Sequence, residues 1–126
     1  MDMTVWDIAR EAAADIDQFA IHCGNFLDAF YRATPEQRKR MVQREPEAHP
    51  GFPDYMLPFL AAMTHKLCND YQLECPAWVH RKQYTLSEPH FWLNATGNLR
   101  RVLLEESPTE FKIRNLFVTA NTLSRA

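Results

Sequence analysis

Residues 5–30 read VWDIAREAAADIDQFAIHCGNFLDAF, a stretch in which apolar side chains recur at steps of three and four residues. Those positions are Val5, Ile8, Ala12, Ile16, Phe19, Cys23, Phe26 and Phe30. The spacing places them on one face and predicts an amphipathic helix that packs against a core. Thr4 can cap its start. Gly24 costs about 1 kcal/mol relative to alanine in a helix, so it marks the point at which this stretch can break into two helices.

Two local codes predict where later helices begin. A capping box with proline at the first helical position occurs at Thr34-Pro35-Glu36-Gln37 and again at Ser107-Pro108-Thr109-Glu110. The helix after Thr34 is short, because residues 45–53 contain three prolines and a glycine and predict a loop. Two further helices are predicted, one from about Asp54 to Tyr71 and one over residues 99–106.

Strand-like alternation is almost absent, which predicts an all-α, bundle-like single domain of about five helices over residues 1–126. Residues 82–97 show no clear period and predict an irregular segment, and residues 116–118 fit a short extended piece. The predicted core consists of Phe19, Phe26, Phe30, Met56, Leu60, Met63, Leu67, Trp78, Phe91, Val102, Leu103, Phe111 and Phe117.

Composition excludes several classes of protein. The 126 residues are 46% apolar, which excludes a disordered tail, and a net charge of −2 argues against a general polyanion binder. No apolar run approaches the roughly 20 residues of a membrane span, and the acidic start does not fit a secretory or transit peptide. Three cysteines at irregular spacings form no disulfide framework, so we expect reduced thiols in a cytoplasmic protein.

The sequence contains no recognisable set of catalytic residues at a suitable spacing. We therefore expect a protein that is not an enzyme and that needs no cofactor. His22 and Cys23 are adjacent, but neighbouring residues of a helix point about 100° apart. Cys23 therefore fits a core thiol better than a nucleophile. Glycines occur only at Gly24, Gly51 and Gly97, which excludes a glycine-rich phosphate loop.

His65, Cys68, Cys75 and His80 are the sharpest candidate for a ligand site, and zinc is the one minor alternative for a cofactor. His65 and Cys68 lie three apart on a helix, and two thiolates with two imidazoles can close a tetrahedral zinc site. The competing interpretation is that Cys68 packs as a small apolar residue while both histidines face water. The absence of a Cys-x-x-Cys knuckle favours that interpretation.

Charge is divided unevenly along the chain. Residues 1–33 hold six acids and two bases, a net charge of −4, whereas residues 76–126 hold seven bases and four acids, a net charge of +3. Aromatic side chains interleave with those bases, as in proteins that stack single-stranded nucleic acid, so a nucleic-acid-binding regulatory protein is one alternative function. The asymmetry equally suits docking onto a charged protein partner, or attraction between the two halves.

Three patterns in the second half of the chain point to a known family: Pro76-Ala77-Trp78, Pro89-His90-Phe91-Trp92 and the S-P-x-x-F-x-x-R-N-L-F-V motif of residues 107–118. Over about residues 25–126 the chain resembles a family of small bacterial helical proteins that carry these patterns. Genes of that family often lie beside genes for nucleotidyltransferase-like toxins, so the resemblance implies an antitoxin-like role. It carries over no catalytic residues, and the family has ordinary helix residues at the four positions of the zinc candidate.

We therefore expect a non-enzymatic partner-binding protein, either an antitoxin-like neutraliser or an accessory subunit, whose partner is encoded by an adjacent gene. Arginine and tryptophan are enriched at interface hot spots. The residues expected to contact the partner are Trp92, Arg100, Arg101, Arg114, Asn115 and Arg125. For Trp92 the competing interpretation is burial in the core. A nucleic-acid-binding protein and a small zinc-stabilised interaction domain are the two alternatives.

Overall fold

The computed structural model describes residues 3–125, which form an all-α fold of six helices and one short pair of strands. The helices are α1 Val5–Ala14, α2 Phe19–Arg32, α3 Pro35–Gln43, α4 Met56–Asp70, α5 Gly97–Glu106 and α6 Thr109–Lys112. Short 3-10 turns lie at Ile16–Gln18, Ala77–His80, Lys82–Tyr84 and Trp92–Asn94. The strands β1 His90–Phe91 and β2 Leu116–Phe117 pair in parallel, with His90 opposite Leu116. The predicted fold class is confirmed.

The first helical stretch breaks at Asp15 and not at Gly24. Asp15 is extended, and its carboxylate accepts a hydrogen bond from the backbone N–H of Asp17 at 3.1 Å. An aspartate offers the backbone this local alternative to the helix, whereas glycine offers none. Gly24 lies inside α2, where its missing Cβ leaves room for the Arg125 guanidinium. The break that the sequence allowed near Gly24 does not occur, and the stretch divides at Asp15 instead.

Capping boxes begin α1 and α3. The Thr4 hydroxyl accepts from the Asp7 N–H at 3.1 Å, and the Asp7 carboxylate accepts from the Thr4 N–H at 2.9 Å. Thr34 and Gln37 exchange the same two bonds at 3.2 and 2.8 Å, with Pro35 at the first helical position. The prediction for α3 is confirmed.

The capping box predicted at residues 107–110 does not form. Helix α6 begins at Thr109 without a side-chain cap. The buried Ser107 hydroxyl instead accepts from the Val118 N–H at 2.8 Å and donates to the Leu103 carbonyl at 2.6 Å. A buried hydroxyl must find partners, and a residue eleven positions away supplies one here.

The core surrounds α4, which packs against α1, α6 and the 3-10 turns of residues 77–84, while α1 also packs against α2. Helix α4 is central, since every residue from 58 to 64 is buried. Of the predicted core residues, Val102 is exposed, which corrects its assignment, and Phe91 and Phe117 are half-buried with their ring centroids 5.0 Å apart. The other predicted core residues are buried.

The irregular segment over residues 82–97 is confirmed. Within it lie two of the 3-10 turns and β1, and backbone bonds join it to the C-terminal part of the chain: Leu86 N–H donates to Arg114 O, and His90 N–H donates to Asn115 O. No helix within residues 3–125 combines the length and apolarity that a membrane span requires.

Candidate functional site

Helix α5 leaves most of its apolar side chains in solvent. Of its four large apolar residues only Leu103 is buried, while Leu99 and Val102 are 41% and 40% exposed and Leu104 is also exposed. Leu93, just before the helix, is 65% exposed. We call the set of Leu93, Leu99, Arg100, Arg101 and Val102 the α5 surface. Its three exposed apolar side chains are candidates for contact with a partner.

An aromatic cluster lies beside the α5 surface, formed by residues 90–92 and the start of α4. The rings of Tyr55 and His90 stack with their centroids 4.5 Å apart, and the Trp92 indole stacks on Phe59 at 5.0 Å. Trp92 is half-buried, so it is anchored to the core yet keeps part of its surface accessible. Tyr55, His90, Trp92 and Leu93 help line an open groove of about 230 Å³.

The backbone between this cluster and α5 is strained. Leu93 and Asn94 have φ of 60° and 50°, in the left-handed region. Asparagine tolerates that region, whereas leucine loses roughly 1–2 kcal/mol there. Leu93 is 65% exposed, so little burial offsets this cost. Strained positions of this kind cluster at binding sites.

Arg100 and Arg101 give the α5 surface a positive charge. Both are exposed, and no acidic residue occurs between Glu88 and Glu105. The Arg100 guanidinium lies 4.3 Å from the centroid of the Phe91 ring, a cation–π contact that orients the side chain.

Arg114 and Asn115 are structural residues and do not belong to this surface. Arg114 is 3% exposed, and its guanidinium donates to the carbonyls of Val79 at 2.9 Å and Glu110 at 2.7 Å. The expectation that Arg114 contacts a partner is therefore wrong. Asn115 is half-buried with φ of 62°, and its side-chain amide donates to Leu86 O at 2.8 Å. An asparagine suits this left-handed position.

Arg125 is exposed but already paired within the chain. Its guanidinium contacts the Asp28 carboxylate at 3.0 and 3.3 Å, and these hydrogen bonds lower the pKa of Asp28. A Cβ at Gly24 would lie 3.0 Å from this guanidinium, so glycine is what lets Arg125 cross α2. Arg125 and Trp92 border one groove of about 150 Å³ between α2 and the C-terminal segment.

The four residues of the zinc candidate meet as two pairs and not as one ligand set. The rings of His65 and His80 meet edge to face with centroids 5.0 Å apart, and the Cys68 and Cys75 thiols each shift the pKa of the other. In the part of the chain that the structure describes, no group of three or more His, Cys, Asp or Glu residues is arranged to hold a metal ion. The buried Arg114 guanidinium contacts His65 and acts on Cys75, and its positive charge disfavours a divalent cation between the pairs.

Cys23, the thiol considered in the sequence analysis as a possible nucleophile, lies in the core. Cys23 is buried in α2, and burial raises the pKa of its thiol, as expected for a packing residue and not for a nucleophile.

Sequence reasoning missed Tyr55 and His90, whose stack forms one wall of the groove beside Trp92. Their contact joins residues 35 positions apart. The spacing of apolar residues along the sequence therefore does not predict it. The Pro89-His90-Phe91-Trp92 pattern of the family resemblance is the signal that could have drawn attention to His90.

No protein-family model matches the chain, and neither a curated protein nor a solved structure matches it. The α5 surface is therefore the structural part of the functional argument, and the kind of partner is suggested by the family resemblance of residues 25–126.

Proposed function

We propose that this is a non-enzymatic partner-binding protein that uses the α5 surface to hold a folded protein, a nucleotidyltransferase-type toxin encoded by an adjacent gene, in an inactive state. An accessory subunit of such a protein is the second form of the same proposal. A cytoplasmic location belongs to it, because the three free thiols suit a reducing compartment.

The observation that carries the proposal is the exposure of Leu99 and Val102 beside Arg100 and Arg101. Burying apolar surface yields about 25 cal/mol per Å², and an interface centre combines such surface with arginine and aromatic anchors. The contact with Phe91 orients Arg100 in advance, which reduces the ordering cost of binding.

Charge further defines the partner. The segment from Glu88 to Glu105 carries arginines and no acid between its ends, so it complements an acidic surface.

The same arginines are the specific observation that favours nucleic-acid binding as a second candidate. Two phosphate contacts would change affinity only about tenfold between 50 and 200 mM salt, whereas nucleic-acid binders commonly make 6–10 such contacts. A basic patch of two residues, surrounded by exposed leucine and valine, therefore favours a protein partner.

The test is co-expression with the product of the adjacent gene, followed by co-purification and a growth assay. We expect the neighbour to arrest growth alone and the wild-type protein to restore it. Leu99→Asp combined with Val102→Asp should abolish rescue and co-purification. Ile21→Asp, at an exposed apolar position of α2, is the matched control and should rescue normally.

A neighbour that is harmless alone and does not co-purify contradicts the proposal. Tight, steeply salt-dependent binding of a single-stranded oligonucleotide that is lost in Arg100→Ala with Arg101→Ala would favour the second candidate instead.

A further inference from the structure

Helix α4 ends in a turn that brings Cys75 back to Cys68. Gln72 takes a left-handed φ of 56°, and the Leu73 N–H donates to the Cys68 carbonyl at 2.9 Å, the pattern of a Schellman helix end. Cys75 follows three residues after Gln72, and the Cys68 and Cys75 thiols each shift the pKa of the other.

The two thiols differ in access. Cys68 is fully buried in the core cluster. Cys75 is half-buried and lines an open groove of about 240 Å³ together with Lys39 and Gln43 of α3. A small solute can therefore reach Cys75 from the groove, whereas burial in the core keeps Cys68 from solvent.

The surroundings favour a thiolate on Cys75. The hydrogen bond from Cys68 lowers the pKa of Cys75, burial opposes this, and the positive charge of Arg114 lowers it further. The shared hydrogen bond and burial both raise the pKa of Cys68. A partly exposed thiolate backed by a second thiol is the arrangement of peroxide-sensitive cysteines.

We propose that Cys75 is an oxidation site for small hydroperoxides and that Cys68 is its resolving thiol. This inference is independent of the proposed partner binding. In the first step the Cys75 thiolate attacks one peroxide oxygen, the O–O bond breaks, and the departing hydroxide takes up a proton to leave as water. In the second step the Cys68 sulfur attacks Cys75, the S–O bond breaks, and the thiol proton leaves with hydroxide as a second water. Two thiols are oxidised to one disulfide and one peroxide is reduced to two waters.

The test treats the folded full-length protein with hydrogen peroxide in the presence of EDTA and follows its intact mass. We expect a loss of about 2 Da, one disulfide per chain, which peptide mapping assigns to Cys68 and Cys75. Dithiothreitol should reverse it. This wild-type measurement does not depend on any variant folding.

Variants divide the two roles. Cys68→Ser should stop at the Cys75 sulfenic acid, which dimedone traps, and Cys75→Ser should form neither product. Cys23→Ser, at the buried thiol of α2, is the control and should form the disulfide at the wild-type rate. A disulfide that includes Cys23, stable sulfenic acid in the wild type, or thiols that survive peroxide in excess would each overturn the proposal.

Discussion

The buried guanidinium of Arg114 connects three segments of the chain by hydrogen bonds. It donates to the carbonyls of Val79 and Glu110, and its Nη1 donates to Nδ1 of His65 at 3.2 Å. This bond requires a neutral His65. Burial, the Arg114 charge and the neighbouring His80 all lower the pKa of His65.

Acid should therefore destabilise the fold through His65. In the unfolded chain the pKa of the imidazole is about 6.5, whereas in the folded state the pKa of His65 is lower. The unfolded state therefore binds more protons below about pH 6.5. Stability is retained above about pH 6.5 and falls as the pH drops through the lowered pKa of His65. His90, whose pKa burial also lowers, adds to the loss.

Urea unfolding between pH 7.5 and pH 5 measures this effect. His65→Gln keeps an acceptor for Arg114 but cannot titrate, so its free energy of unfolding should fall less over the same range. An identical pH dependence in the wild type and His65→Gln would contradict the account.

At the scale of elements, Ser107 joins the end of α5 to the residue after β2. Its hydroxyl is buried and bonds both the Leu103 carbonyl and the Val118 N–H. Ser107→Ala leaves the Val118 N–H without that partner in the interior, so we expect the free energy of unfolding to fall by about 1–3 kcal/mol. Ser124→Ala, at an exposed position, is the control and should change it little. Equal stabilities of the two variants in chemical denaturation would refute the bridging role.

Variants of Leu93, in the turn before α5, can separate the effect of backbone strain on stability from the effect of the side chain on partner binding. Leu93→Gly removes the left-handed strain of roughly 1–2 kcal/mol and adds glycine's entropic cost of roughly 0.5–1 kcal/mol. The fold should therefore gain up to about 1.5 kcal/mol in thermal unfolding while the affinity for the partner falls. Leu93→Asn, which suits the same backbone, should also bind weakly. A destabilised Leu93→Gly that binds normally would show that Leu93 serves the fold and not the interface.

At the scale of the whole molecule, the acidic first third and the basic last third are in contact. Arg125, close to the C-terminal end, pairs with Asp28 of α2, so part of the charge asymmetry is satisfied inside the chain. Arg100 and Arg101 lie apart from that pair on the α5 surface, where their charge faces solvent. The charge asymmetry is thus partly neutralised by the pair of Arg125 with Asp28, whereas the charge of Arg100 and Arg101 is free to attract an acidic surface.

The sequence predicts those features of the fold that depend on neighbouring residues, such as where helices begin. The cap and proline at Thr34 and Pro35 specify the start of α3, and the apolar density after Met56 predicts the central helix α4. Ser107 and Arg114 were misassigned because the partners of their side chains, Val118 and Val79, are distant in sequence. A polar residue in a local motif is indistinguishable from one that a tertiary contact will bury.

The candidate site was predictable only in part. Residue type predicts that Trp92, Arg100 and Arg101 contact a partner, with burial as the competing interpretation for Trp92. Arg100 and Arg101 are exposed and Trp92 is half-buried. Exposure of Val102 was not foreseen, because its spacing from Leu99 and Leu103 is that of a core-facing stripe. Only the packing of the whole chain reveals that a single side chain of this stripe reaches the interior.

Amide hydrogen exchange of the protein, alone and bound to the product of the adjacent gene, tests the central claim most directly. Helix α5 is anchored by one buried side chain, so its amides should exchange rapidly in the free protein. On binding, we predict marked protection over residues 93–104 and little change over α1. Protection confined to α1 or α2, with residues 93–104 exchanging as in the free protein, would contradict a partner-binding role for the α5 surface.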